Sequence, residues 1–236
     1  MPAELDPKQN RLLTALSSEE YDRFSPYWEI VPLEFKQILY SPNEPISYVY
    51  FVLNAVVSMV QLDQSGSIVE VATVGKEGFV GVPVLLGATQ MPGEGFSQIP
   101  GYAVRMRADI FTQKVTPKTE LYALLLRYTQ TLFNQIAQSA ACNRLHSIEE
   151  RFCRWMLMTH DRVGKDQFPL TQEFIAQMLG VRRAGVSIVA STIQRAGFIS
   201  YKRGKMTILD RDGLESSTCE CYRMIAAEFD RLIGGK

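Results

Sequence analysis

The chain has 236 residues, 46% hydrophobic and 21% charged, which suits one or two cored domains with an ordinary globular surface. Its 25 lysines and arginines balance 25 aspartates and glutamates, so an overall positive coat is excluded and any basic footprint must be local. No apolar run nears the ~18 residues that cross a bilayer, and Met1-Pro-Ala-Glu-Leu-Asp-Pro lacks the basic start and apolar centre of a signal peptide. The expectation is a cytoplasmic protein without a membrane partner, its four cysteines (Cys142, Cys153, Cys219 and Cys221) held as free thiols.

Leu12, Leu13, Leu16, Tyr21 and Phe24 fall near a helical period, and Ser17-Ser-Glu-Glu20 resembles a cap and an acidic first turn, so short helices open the chain. From Glu29 to about Phe111 the texture turns β-branched and aromatic, as in Tyr48-Val-Tyr-Phe-Val and Val56-Val-Ser-Met-Val-Gln-Leu. Ser41-Pro-Asn-Glu-Pro, Asp63-Gln-Ser-Gly-Ser and Met91-Pro-Gly-Glu-Gly break these runs, which predicts a β roll or barrel of short strands. Arg105 and Arg107, near its end, alternate along a strand and are expected to face solvent.

Beyond Thr116-Pro117 the period changes to helical. Glycine and proline are absent from Lys118 to Val163, which allows one long helix or two abutting ones. Leu121, Leu125, Tyr128, Leu132, Gln135, Ser139 and Cys142 are spaced alternately four and three apart, a heptad-like seam that either packs on the roll or zips against a second copy. A second apolar stripe runs through Ile148, Phe152, Trp155 and Met156. A last amphipathic helix is expected from Leu214 to Ile233.

Residues 170–211 carry the densest signal. Thr171 suits the cap of a helix over Gln172 to Leu179, with Phe174, Ile175, Met178 and Leu179 on its buried side and Gly180 as the left-handed residue that ends it. A second helix is expected from Arg182 to about Ala196, burying Val186, Val189, Ala190 and Ile193 and turning Arg183, Ala184, Ser187, Ser191 and Gln194 outward. Helix, short turn, helix is the arrangement that places a second helix in the DNA major groove. Phe198 to Leu209 then reads as a hairpin turning at Arg203-Gly204. Arg182 and Arg183 sit where the helix dipole opposes positive charge by ~0.3–1 kcal/mol each, a placement that suits phosphate or guanine recognition better than stability. Between Val181 and Arg211 seven basic residues face one acid, a local excess of six in a chain of zero net charge. Lys202, Arg203 and Lys205 on the hairpin are suited to phosphate contacts, which position a protein without reading sequence.

This arrangement resembles the Crp/Fnr family of bacterial transcription regulators over nearly the full chain. The likeness is most specific in Leu170-Thr-Gln-Glu-Phe-Ile-Ala-Gln-Met-Leu-Gly-Val-Arg-Arg, with support from Pro45-Ile-Ser-Tyr-Val-Tyr-Phe-Val and Gly78-Phe-Val-Gly. It implies an α+β fold: a double-stranded β-helix of jelly-roll type over 1–117, similar to cyclic-nucleotide-binding domains, a dimerisation helix over 118–146, and a winged helix-turn-helix over 147–236. It implies a homodimer joined through Leu121, Leu125, Tyr128, Leu132, Gln135 and Ser139, with double-stranded DNA and RNA polymerase as further partners. Thr171 and Gln172 would touch the DNA backbone and Arg183 would read bases. The DNA-facing set is then Thr171, Gln172, Arg182, Arg183, Ala184, Ser187, Ser191, Lys202, Arg203 and Lys205.

Two departures matter. Where cyclic-AMP-responsive members usually carry an acid after the reading arginine, this chain has Ala184, so a different operator is expected. Where nucleotide binders show Gly-Glu and, about ten residues on, Arg-Ser or Arg-Thr, this chain has Gly81-Val82 and no arginine from Leu85 to Phe96. A buried phosphate would lack its cation, so cyclic AMP bound in the family manner is not expected, no cofactor is predicted, and the effector is unknown.

No cysteine precedes Cys142 to form an N-terminal iron-sulfur cluster, and both histidines, His146 and His160, lie beyond the roll. Cys219-Glu-Cys221 offers thiolates for a soft metal or a redox pair. Residues two apart on a regular helix point to nearly opposite sides, however, so structural thiols and no metal are expected unless the helix breaks there. Catalytic motifs such as Gly-x-Ser-x-Gly or a phosphate-binding Walker loop are missing, so no enzyme is expected. Two other readings stay open: a regulatory module whose C-terminal domain docks a protein instead of DNA, and a cysteine-dependent redox- or metal-responsive regulator.

Overall fold

A computed structural model describes residues 5–64 and 66–234. Part of the N-terminal segment read for a leader, Met1 to Glu4, and Ser65 of the turn at 63–67 lie outside the described residues. Of the one or two short helices expected near the start, two form, α1 (Arg11–Thr14) and α2 (Ser18–Phe24), the second capped by Ser17 accepting from the Glu20 amide. Asn10 caps α1 through its side-chain oxygen, and its buried amide nitrogen donates to the carbonyls of Val52 and Gly78, tying the N-terminus to the roll.

Strands β1 (Glu29–Leu33), β2 (Ile38–Tyr40), β3 (Tyr48–Val52), β4 (Val56–Leu62), β5 (Ile68–Val74), β6 (Phe79–Val80), β7 (Glu94–Ile99) and β8 (Gly101–Arg107) build two four-stranded antiparallel sheets. Their orders are β1-β8-β3-β6 and β2-β7-β4-β5, so most neighbours are distant in sequence, as a jelly roll requires. Short helices α3 (Val82–Leu85) and α4 (Ala108–Lys114) follow β6 and β8. Phe79 stacks on Phe111 of α4 at 5.5 Å and meets Phe51 at 5.0 Å, filling the interior with rings. Arg105 and Arg107 pair with Glu29 and Asp109.

The stretch free of glycine and proline forms two helices, α5 (Glu120–Leu145) and α6 (Ile148–Val163). The break falls at Ser147, whose hydroxyl and Glu150 make a reciprocal capping box. The winged module follows as β9 (Gln167–Pro169), α7 (Gln172–Leu179), α8 (Arg183–Arg195), β10 (Ile199–Lys202) and β11 (Lys205–Ile208), the strands ordered β10-β11-β9. The helix expected from Leu214 to Ile233 is divided into α9 (Arg211–Ser216) and α10 (Cys221–Ile233). The latter lies along α5, where Asn134 Nδ2 donates to Glu228 Oε2 at 2.7 Å and Tyr128 meets Phe229 at 6.4 Å. No helix among the described residues is long and apolar enough to cross a membrane.

The heptad seam has its partners inside the chain. Leu121, Leu125, Tyr128, Leu132, Gln135 and Ser139 are all buried in the single chain, and Gln135 Nε2 donates to the Thr73 carbonyl of β5. Their assignment to a partner subunit is therefore corrected: the most apolar face of a 26-residue helix is claimed by its own roll. A second face is occupied by α10. The third carries Leu126, Phe133 and Ala140, all exposed, with Tyr122, Thr129 and Ile136 half-buried between them. These six repeat the heptad spacing one residue out of phase with the buried seam.

Candidate nucleic-acid interface

Local sequence rules place the two helices. Thr171 Oγ1 accepts from the Phe174 amide to start α7, and Gly180 ends it at φ 63°, a left-handed residue that glycine adopts without steric cost. Arg182 is extended and stands before α8 without a side-chain cap bond, so the helix begins at Arg183, one residue later than expected. Phe174, Ile175, Met178 and Leu179 of α7 and Val186, Val189, Ala190 and Ile193 of α8 are buried as the periodicity requires. The hairpin turns through Arg203 at φ 49° and Gly204 at φ 74°, the positive pair that a two-residue turn with the right strand twist demands.

The predicted DNA-facing residues lie on three adjoining elements: α8, the wing and the start of α7. Arg182, Arg183, Ala184 and Ser191 are exposed at the start and on the outer side of α8, and Ser187 is half-buried beside them. Arg183 is extended into solvent, its side chain 68% exposed, with Glu173 at 3.9 Å as a loose partner. Lys202, Arg203 and Lys205 are exposed on the wing. Thr171 and Gln172 stand at the start of α7, where Tyr201 Oη of the wing accepts from the Gln172 amide at 3.3 Å. Gln194, expected outward, accepts from the Tyr201 amide through Oε1 at 2.7 Å and so braces α8 against the wing.

Two residues change role. Arg211, counted in the basic excess, pairs with Asp161 at 2.8 Å and Glu215 at 3.0 Å and donates to Tyr222 Oη, so this half-buried side chain ties α9 to α6 and α10. Ile188, which the periodicity argument passed over, is 69% exposed on the outer side of α8. An apolar side chain there matches the methyl group that thymine shows in the major groove. An exposed Ile between the outward Ser187 and Ser191 was the available sequence signal.

The module is seated on the roll. Phe174 meets Phe35 and Phe96 at 6.1 Å each, and Trp155 Nε1 donates to Glu70 Oε1 of β5 at 2.7 Å. Ser58 Oγ donates to the other oxygen of Glu70, while burial of the carboxyl pushes its pKa up to about 7. Gln61, Leu62, Asp63 and Ile68 of the β4–β5 hairpin and Arg182 and Arg183 line one groove. Arg162 of α6 is buried against the roll, with Nε 2.8 Å from Glu77 Oε1.

The cysteines are arranged differently from the sequence expectation. Because α9 ends at Ser216 and α10 starts at Cys221, Cys219 lies off the helix and the premise that it points away from Cys221 fails. Their sulfurs gather with Cys142 and His146, all four offering ligand atoms within 4.8 Å of one another. Burial pushes the Cys142 thiol up to about 12, partly offset by Arg154. Cys153 is buried outside this group.

Comparison with known proteins bears on the same region. Residues 150–217 match the family model of the Crp-like helix-turn-helix domain. The fold is similar to that of FixK2 from Bradyrhizobium japonicum, at TM-score 0.69 and 15% identity over 81% of this chain and 98% of that one. A Crp/Fnr-family protein from Eubacterium rectale superposes at TM-score 0.68 and 17% identity, over 92% of this chain and 99% of its own. A CRP-family transcriptional regulator from Thermus thermophilus gives 0.67 and 18%, over 79% and 95%. No curated protein matches the chain by sequence. The chain thus carries a Crp-like helix-turn-helix domain at residues 150–217, and over most of its length its fold is similar to that of solved Crp/Fnr-family proteins.

Proposed function

We propose that the protein is a cytoplasmic, homodimeric regulator whose two α8 helices read a palindromic operator, under control of an effector other than cyclic AMP bound in the family manner. The observation that carries this reading is the basic surface on α8 and the wing, raised on a chain whose net charge is zero. Arg183 reads bases, with Ser187, Ile188 and Ser191 along the same outer side. Arg182, Thr171, Gln172, Lys202, Arg203 and Lys205 hold phosphate. The division into a roll over 1–117, a connecting helix over 118–146 and a DNA-binding module from 147 supports this arrangement, with α10 returned to the connecting helix.

Dimerisation runs through the free face of α5, around Leu126, Phe133 and Ala140. It places two recognition helices for half-sites roughly 34 Å apart. RNA polymerase as a partner rests on the family resemblance. The effector reading rests on Val82 after Gly81 and on the ring-filled interior around Phe79.

In-vitro site selection followed by footprinting tests the function. A two-fold symmetric site is expected; no enrichment, or protection of a single half-site, overturns it. On the selected site Arg183→Ala is expected to cost ~1–3 kcal/mol and relax base preference, whereas Lys205→Ala weakens cognate and random DNA alike and lowers the salt slope by about one. Equal losses on both DNAs for both variants refute the division of roles. Loss of all DNA affinity at low salt in the wild type would leave protein docking as the function of the module.

A further inference from the structure

Four side chains outside the DNA-facing surface converge where α5 ends and α10 begins. Cys142 lies in the last turn of α5, and His146 caps that helix four positions on. Cys219 stands in the segment between α9 and α10, and Cys221 is the first residue of α10. Cys142 Sγ lies 3.6 Å from Cys219 Sγ, and Cys221 Sγ lies 3.5 Å from His146 Nδ1. The three cysteines are buried and form a cluster of their own, apart from the main hydrophobic core.

We propose that Cys142, His146, Cys219 and Cys221 bind one zinc-type divalent ion, which staples the segment before the helix-turn-helix domain to the segment after it.

The geometry suits a mononuclear tetrahedral ion. Metal–sulfur bonds of about 2.3 Å and metal–nitrogen bonds of about 2.0 Å put sulfurs about 3.8 Å from one another and about 3.5 Å from the nitrogen. The two short separations here are already close to those values, and the others, all within 4.8 Å, close with shifts of about 1 Å or less. Three soft sulfurs and an imidazole select zinc or a related d-block ion over magnesium, calcium or manganese.

The surrounding groups have the form such a site needs. His146 turns Nε2 to Glu220 Oε1 at 3.3 Å, leaving Nδ1 toward the sulfurs, so a carboxylate fixes the tautomer and orientation of the ligand. Gln138 Nε2 donates to Cys221 Sγ at 3.0 Å. Arg151 and Arg154 are buried within electrostatic reach of Cys142, and neither has a carboxylate at salt-bridge distance among the described residues. Three thiolates and a divalent ion carry one net negative charge, which these arginines offset.

The ligands bracket the Crp-like domain, which spans 150–217. Cys142 and His146 precede it, and Cys219 and Cys221 follow it. An ion there fixes the domain to α5 at both of its ends. The ion site stands without the DNA-binding reading; only its effect on operator affinity rests on that reading.

The test uses the full chain under reducing conditions, stripped with a chelator and titrated with Zn²⁺ or Co²⁺. One equivalent per chain is expected, with the intense visible bands of tetrahedral thiolate-bound Co²⁺ and a rise in Tm on loading. Cys142→Ser and Cys219→Ser are expected to abolish those bands. Glu220→Gln keeps them and weakens affinity about 10- to 100-fold, while Cys153→Ala, outside the four, leaves stoichiometry and bands intact. Weak octahedral Co²⁺ bands in the wild type, which require no variant to fold, overturn the proposal. So do bands that survive both serine variants, bands lost equally in Cys153→Ala, or a Cys142–Cys219 disulfide in place of metal uptake. Operator affinity of loaded and stripped protein then reads the coupling separately.

Discussion

Phe133→Asp strikes the free face of α5 where a second copy is expected. Phe133 is 64% exposed in the single chain, with Leu126 at 41% one heptad before it. A phenylalanine side chain presents roughly 200 Å², so covering its exposed part buries about 130 Å² more, worth about 3 kcal/mol at about 25 cal/mol per Å². Two-fold symmetry doubles the loss to about 6 kcal/mol, and if only half of that is realised the dimer dissociation constant rises about a hundredfold. Sedimentation across a concentration series measures the shift. Because an exposed site changes monomer stability by only about 0.5 kcal/mol, thermal unfolding distinguishes dissociation from misfolding. Leu125→Ala is the contrast: fully buried against the roll, it is expected to cost about 2–5 kcal/mol of fold stability while a folded fraction still dimerises normally. Wild-type dimer affinity in Phe133→Asp, or a folded Leu125→Ala that is monomeric, refutes the assignment of the two faces.

Three further outcomes follow from the contact between the roll and the C-terminal module. Burial raises the Glu70 pKa from 4.5 to about 7, so the folded state holds a proton that the unfolded chain has released, and stability falls as pH rises through that window. The loss is about 3 kcal/mol at most, and denaturant titration of Glu70→Gln from about pH 5 to pH 8 should show it removed, an unchanged slope counting against Glu70. Glu77→Gln leaves Arg162 buried with a neutral partner and is expected to cost about 3–5 kcal/mol by the same measurement; a loss under about 1 kcal/mol would show that water reaches the pair. Gly180→Ala forces a side chain into the left-handed region at φ 63°, with Val69 Cγ2 3.1 Å from the new Cβ, and should lower stability by about 1–2 kcal/mol. No change there would mean that the turn relaxes freely.

The parts of the molecule that were legible in the sequence are those governed by local rules. Ser17, Thr171 and Gly180 announce helix ends, Arg203-Gly204 announces the hairpin, and the alternation of apolar residues locates α7 and α8 within one residue. The heptad of α5 was visible too, but periodicity reports that a face is apolar and says nothing of what covers it. The stronger seam went to the roll, and the weaker one, around Phe133, was hidden behind it. The cysteine group was illegible for a related reason. Two of its members are separated from the others by the whole helix-turn-helix domain, and the break at Ser217 to Glu220 carries neither glycine nor proline to mark it. Arg211 misled because composition counts a charge without its partners.

The seating of α7 on the roll gives a route by which an effector could act. Phe35, on the turn between β1 and β2, is 48% exposed and touches the module through the Phe174 ring. Phe35→Ala therefore loosens the seat without opening the core, by about 0.5–1.5 kcal/mol for the aromatic pair. Arg182 and Arg183 share their groove with residues of the β4–β5 hairpin, including Asp63, so a duplex gripping these arginines meets a carboxylate and the hairpin beside it. Freeing the module from that neighbour is expected to raise operator affinity up to about tenfold without effector, with base preference unchanged because no reading residue is altered. Fluorescence anisotropy on operator and random DNA measures both quantities. A fall in operator affinity would mean that the seated arrangement is itself the DNA-binding one, and that the roll acts by holding the module in place.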